Sequence, residues 1–126
     1  MTILDSSVWI AWLDKDDSQH GRAEKVFEQV SDIVVPEYVI LEVCTVLSRK
    51  KGHAFAEQFL SLAVENSDIT ILLSSEDLFY KTVDSFKKVF RRRLSFADSM
   101  LAVLSRSYTI LTFDNTLQKA IQEGYV

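Results

Sequence analysis

The 126-residue chain has little of what several common chemistries require. Cys44 is its only cysteine, so an intrachain disulfide framework and a zinc site built on cysteines are both excluded. Its three glycines, Gly21, Gly52 and Gly124, lie far apart, so there is no glycine-rich phosphate loop and no dinucleotide-binding fingerprint. His20 and His53 are the only histidines, and neither sits in a metal-ligand motif. No apolar run approaches the ~20 residues a membrane span requires. The opening Met1-Thr2-Ile3-Leu4-Asp5 lacks the basic start and apolar segment of a signal peptide. With the lone thiol, this leads to the expectation of a cytoplasmic protein that makes no use of a membrane. What is present is enough for a core: 48% of the residues are apolar and 25% charged. The expectation is one domain over residues 1–126.

Acidic residues outnumber basic ones, 18 to 14, for a formal charge of −4 at pH 7. The basic residues are not evenly spread. Arg49, Lys50 and Lys51 form one cluster, and Lys87, Lys88, Arg91, Arg92 and Arg93 a second, together eight of the 14. Each cluster has two readings: compensation of a helix macrodipole at a C-terminus, or contact with the phosphates of a nucleic acid.

Short apolar runs alternate with helical patterns. Residues 2–5, 33–35 (stopped by Pro36), 69–73 and 108–113 read as strands buried on both faces, as in a parallel sheet. Between them lie stripes at three- and four-residue spacing: Ala23, Val26, Phe27 and Val30; Val39, Ile40, Val43, Val46 and Leu47; Phe55, Phe59, Leu62 and Ala63; Phe79, Val83, Phe86 and Phe90. Residues 96–104 read as a largely buried helix, and Leu117, Ala120 and Ile121 as a short last one. Trp9 and Trp12 are read as core or interface. The order predicts an α/β domain whose ligands bind outside the carboxyl ends of the strands.

Four carboxylates fall where that rim is expected. Asp5 ends the first strand and Asp114 the last. Glu42 lies inside the helix after the second strand, about 40° from Val46 at ~100° per residue, hence at the edge of the apolar stripe. Glu37, on another face, reads as a first-turn acid favoured by the helix dipole. Asp98 follows Ser95-Phe96-Ala97. Taken singly, these acids have structural readings: Asp5 and Asp114 as helix N-caps, and Asp98 as the third position of a capping box with Ser95. Taken together, carboxylates converging on one rim repel one another and favour a hard cation with oxygen ligands, Mg²⁺ or Mn²⁺, and with it phosphoryl chemistry.

Asp5-Ser6-Ser7 after a short strand, Glu42 in the helix after the second strand, Ser95-Phe96-Ala97-Asp98-Ser99-Met100-Leu101-Ala102, and Ile110-Leu111-Thr112-Phe113-Asp114-Asn115-Thr116-Leu117 resemble, in order, the four acidic motifs of PIN-domain nucleases. The length and layout resemble the VapC-type toxin ribonucleases of toxin–antitoxin pairs. The resemblance implies a three-layer α/β/α fold around a parallel sheet of four or five strands. It implies Mg²⁺- or Mn²⁺-dependent cleavage of RNA that leaves a 5′-phosphate and a 3′-hydroxyl, an antitoxin partner and a homodimer. Asp5, Glu42, Asp98 and Asp114 then hold the metal directly or through water. Ser6 and Ser7 orient a ligand carboxylate or cap the first helix, and Arg49, Lys50, Lys51, Arg91, Arg92 and Arg93 are candidates for holding RNA phosphates. The residue after Asp114 is Asn115, so no fifth acid follows.

Two other classes stand beside this reading. A signalling receiver also sets aspartates at strand ends, but its phosphate acceptor is missing here, because the run from Ile69 to Leu73 leads into Ser74-Ser75. A catalytically inert PIN-like module that binds RNA or protein shares all four acids and is separated from a nuclease only by a cleavage test.

Overall fold

A computed structural model describes residues 1–88 and 93–124. Its elements run β1 (Thr2–Leu4), α1 (Ser6–Leu13), α2 (His20–Gln29), β2 (Ile33–Pro36), α3 (Glu37–Lys51), α4 (His53–Glu65), β3 (Ile69–Leu72), α5 (Glu76–Lys88), α6 (Phe96–Leu104), β4 (Thr109–Leu111) and α7 (Asn115–Gln122). Among the described residues this is a four-stranded sheet flanked by seven helices, as the alternation of patterns predicts.

The strand order is β3-β2-β1-β4 and every pair is parallel. β1 is central, with Ile3 opposite Val34 on one side and Ile110 on the other. Successive strand residues face opposite sides of a sheet. Ile3 and Leu4 are both fully buried, as are Val34 and Val35, so both faces of β1 and β2 are covered and the domain has three layers. The edge strands differ from the sequence expectation: Thr70 and Thr109 are exposed and their neighbours only half-buried, because each edge lacks a partner strand on one side. The chain moves outward from β1 through β2 to β3, then crosses back to set β4 on β1's other flank. The β1/β4 junction is therefore the switch point of the topology, where open α/β sheets bind their ligands.

The core centres on α1. Trp9 is fully buried and meets Phe27 and Phe59 edge-on, with ring centroids 5.0 and 5.3 Å away, while Trp12 stacks on Phe27 at 4.2 Å. These tryptophans hold α2 and α4 against α1; Trp9 is core rather than interface. Cys44 is half-buried and burial pushes its thiol pKa up, as expected of a small apolar residue. α3 passes to α4 through Gly52, whose φ of 95° is open to glycine at no steric cost. The stripe on α5 is not a buried face: Phe79 and Phe86 are exposed, Val83 is half-buried, and the buried residues of the helix are Thr82 and Ser85; Phe90 lies outside the described residues.

Candidate active site

Asp5 stands directly after β1. Its backbone N–H donates to the carbonyl of Leu111 in β4 at 2.9 Å, which carries the ladder one residue past β1 and fixes the carboxylate at the β1/β4 junction. The residue also caps α1: Oδ1 accepts the Ser6 N–H at 2.7 Å. Oδ2 accepts the Thr112 hydroxyl at 2.8 Å, and the Ser7 hydroxyl lies 3.4 Å from it. The Thr112 oxygen in turn accepts the N–H of Asp114 at 3.0 Å, so one hydroxyl ties the two strand-end acids together. Burial raises the Asp5 pKa, and the charge of Glu42 adds to the rise against the bonds from Thr112 and Ser6.

Glu42 is half-buried on α3, and its Oε1 accepts the Ser6 hydroxyl, which also lies 3.4 Å from Asp5 Oδ1. Tyr38 is four residues earlier on the same helix face. Burial, then the charges of Asp5, Glu42 and Asp98, drive its pKa far upward, so the phenol keeps its proton in the midst of three carboxylates. Asp98 is half-buried. The capping box is present: the Ser95 hydroxyl accepts the Asp98 N–H at 3.0 Å, and Asp98 Oδ2 accepts the Ser95 N–H at 3.4 Å. Burial raises the Asp98 pKa too, and the charges of Asp114 and Asp5 push the same way. Asp114 is exposed and caps α7, with Oδ1 accepting from Thr116 N at 2.9 Å and Leu117 N at 3.3 Å.

The structural readings of the acids hold, and the acids also lie near enough for Glu42 to act on Asp5 and for Asp5 and Asp114 to act on Asp98. Asp5, Asp98 and Asp114 each cap or open a helix, and α1, α6 and α7 begin around this one rim. The positive ends of their dipoles offset part of the repulsion among the carboxylates. The donor set is all oxygen, which suits a hard cation. Among the described residues, however, no three His, Cys, Asp or Glu side chains form a group that could hold a metal ion unaided. Hydrogen bonds to Thr112, Ser95 and the α7 backbone orient the carboxylates, and Mg²⁺, which keeps several of its waters, suits acids that do not close around an ion by themselves.

The chain matches the family model described as PIN domain over residues 2–122. It belongs to the PIN domain family. Among curated proteins no match is found. Among solved structures, this PIN domain resembles VapC20 of Mycobacterium tuberculosis, described as a Sarcin-Ricin loop cleaving toxin. The TM-score is 0.86 over 95% of both chains, and the identity 21%. At that identity the likeness speaks to the fold alone.

Two residues of the PIN domain's rim escaped the reading of the sequence as parts of the site. Thr112 sits two before Asp114, and the Thr-x-Asp spacing was the signal available for it. Tyr38 sits one helical turn before Glu42, and only the sheet order brings Asp5 and Asp98 to it.

The basic candidates separate. Lys51 is paired with Asp14 and Asp16, each at 3.1 Å, so its ammonium already has partners within the chain. Lys51 meets Asp14 at the far end of α1 from Asp5, ~12 Å along an eight-residue helix. Arg49 and Lys50 are exposed in the same last turn of α3, away from the acids. Arg93 is exposed, in a left-handed conformation (φ 57°), two residues before the Ser95 cap. Arg91 and Arg92 lie outside the described residues. A cavity of about 400 Å³ lined by Trp12, Phe27, Ile33, Leu62 and Ile69 opens beside the first residues of β2 and β3, on the opposite rim, and includes none of the four acids.

Proposed function

We propose that this chain is a metal-dependent RNA endonuclease, the toxin of a toxin–antitoxin pair, with residues 1–126 forming one nuclease domain. The observation that carries the reading is the meeting of acids at the β1/β4 switch point: Thr112 ties Asp5 to Asp114, Ser6 ties Asp5 to Glu42, and the charges of Asp5 and Asp114 act on Asp98.

Asp5, Glu42, Asp98 and Asp114 would hold Mg²⁺, or Mn²⁺, partly through water. Bound there, the ion would polarise a phosphodiester and lower the pKa of a water for in-line attack. The chain's own residues do the positioning. Thr112, Ser6 and Ser7 fix the Asp5 carboxylate, and Ser6 also fixes Glu42, an orienting role that favours a single geometry. Tyr38, kept protonated, offers a phenolic O–H as a donor at the rim. Arg93 stands near the start of α6 as a contact for RNA phosphate, and Arg91 and Arg92 join it in this reading.

A structured RNA is the proposed substrate class, and the sarcin–ricin loop, which the similarly folded VapC20 is described as cleaving, is the first RNA to test. The antitoxin and a second copy of the chain are the proposed protein partners, and exposed Phe79, Tyr80 and Phe86 on α5 offer a surface for one of them. Among the described residues no helix is long and apolar enough to cross a membrane. The cytoplasm, where such RNA is found, is the proposed place of action.

Incubation of the purified chain with a sarcin–ricin hairpin and with bulk tRNA tests the reading. Cleavage is expected with Mg²⁺ or Mn²⁺, is abolished by EDTA, and is lost in Asp98→Asn. Full activity of Asp98→Asn removes Asp98 from the site. Binding of RNA without cleavage under any metal condition establishes the inert-module reading instead.

A further inference from the structure

Arg22, in the first turn of α2, was not part of any motif. Its guanidinium carbon lies 4.3 Å from the centroid of the Phe113 ring. Phe113 is the residue between Thr112, which holds Asp5, and Asp114. Its N–H donates to Ser7 Oγ at 3.2 Å, so the ring is fastened to the same frame as the acids. The start of α2 is fastened as well: His20 Nδ1 lies 2.8 Å from the Ala11 carbonyl, and Ala23 is fully buried. Arg22 itself is exposed and, among the described residues, forms no ion pair, although a cation next to an acidic rim would ordinarily fold onto a carboxylate. The ring holds one face of the guanidinium and leaves its N–H edge free. A stacked guanidinium with a free edge matches the two oxygens of a phosphodiester.

We propose that Arg22, seated on Phe113, binds a backbone phosphate of the RNA next to the bond that is cut. This rests on the nuclease reading above and adds to it a cationic contact at a rim whose own charges repel RNA. The alternative cation cluster at the end of α3 stands at the far end of α1, with Lys51 already paired.

The test uses the full-length chain, a fluorescein-labelled sarcin–ricin hairpin, and steady-state cleavage with Mg²⁺ over a range of salt. Arg22→Ala is expected to raise KM about tenfold, the size of one charge-assisted contact, with kcat little changed. Its binding, measured in the Asp98→Asn background, should lose about 0.7 from the slope of log K against log salt. Arg22→Lys keeps the charge and should recover the slope while remaining weaker in affinity, because the fork and the stack are gone. A wild-type KM and slope in Arg22→Ala, or a loss confined to kcat, overturns the proposal while the wild-type chain still cuts. A wild-type chain that cuts neither the hairpin nor bulk tRNA with Mg²⁺ or Mn²⁺ overturns the nuclease reading and this proposal with it.

Discussion

Asp5 is nearly inaccessible to solvent, and its pKa lies above the ordinary 3.8, chiefly because burial disfavours the charged form. The sign of the consequence follows from proton linkage. Between the unfolded and the raised folded value, the folded state binds more protons than the unfolded chain, so stability falls as pH rises through that window. Above it, the cost of a buried charge is present in full. Asp5→Asn removes that cost and keeps the α1 cap, since asparagine caps a helix as well as aspartate does. Its melting temperature at pH 7 should exceed that of the unaltered chain by roughly a few degrees, with the gain fading as pH falls toward 3.8. Thermal melts across pH check this. A lower melting temperature at pH 7 would show that the bonds from Thr112 and Ser6 outweigh burial. The same variant should not cleave RNA, the expected trade between stability and activity at a functional site.

At the scale of the element, the rim is built from helix starts. Asp114 accepts two backbone N–H groups of α7 and also adds its charge to Asp98, and substitutions can separate the two duties. Asp114→Asn should keep stability within a few tenths of a kcal/mol and lose cleavage, whereas Asp114→Ala should lose cleavage and about 1 kcal/mol of stability as well. Denaturant unfolding alongside a cleavage assay checks both, and equal stability of the two variants would deny the cap. These doubled roles explain how much of the site could be read from the sequence. Ser95-x-x-Asp98 is a capping box on its face, and Asp5 and Asp114 follow apolar runs. The positions were legible even though no residue alone distinguished a cap from a ligand. The strands were legible for a related reason: Ile3-Leu4 and Val34-Val35 are apolar on both faces because both faces are covered. The edges were not, since the burial of Thr70 and Thr109 depends on which strands stand beside them.

At the scale of the whole molecule, what could not be read was whatever depends on sheet order. Thr112 and Asp5 are 107 positions apart and meet because β4 returns to pair with β1. Tyr38 meets Asp5 and Asp98 for the same reason. The partners of Lys51 were not legible either, since only the packing of α3 along α1 brings it to Asp14 and Asp16. Four acids spread over most of the chain act as one site only if that packing brings them around a common ion. The most direct test is a crystal soaked in Mn²⁺ and measured for anomalous scattering. A peak should stand on the rim between Asp5 and Asp98, bonded to carboxylate oxygens or one water removed from them, with Glu42 and Asp114 around it, and it should vanish in Asp5→Asn. A well-ordered rim with no peak there at saturating Mn²⁺ would contradict the account.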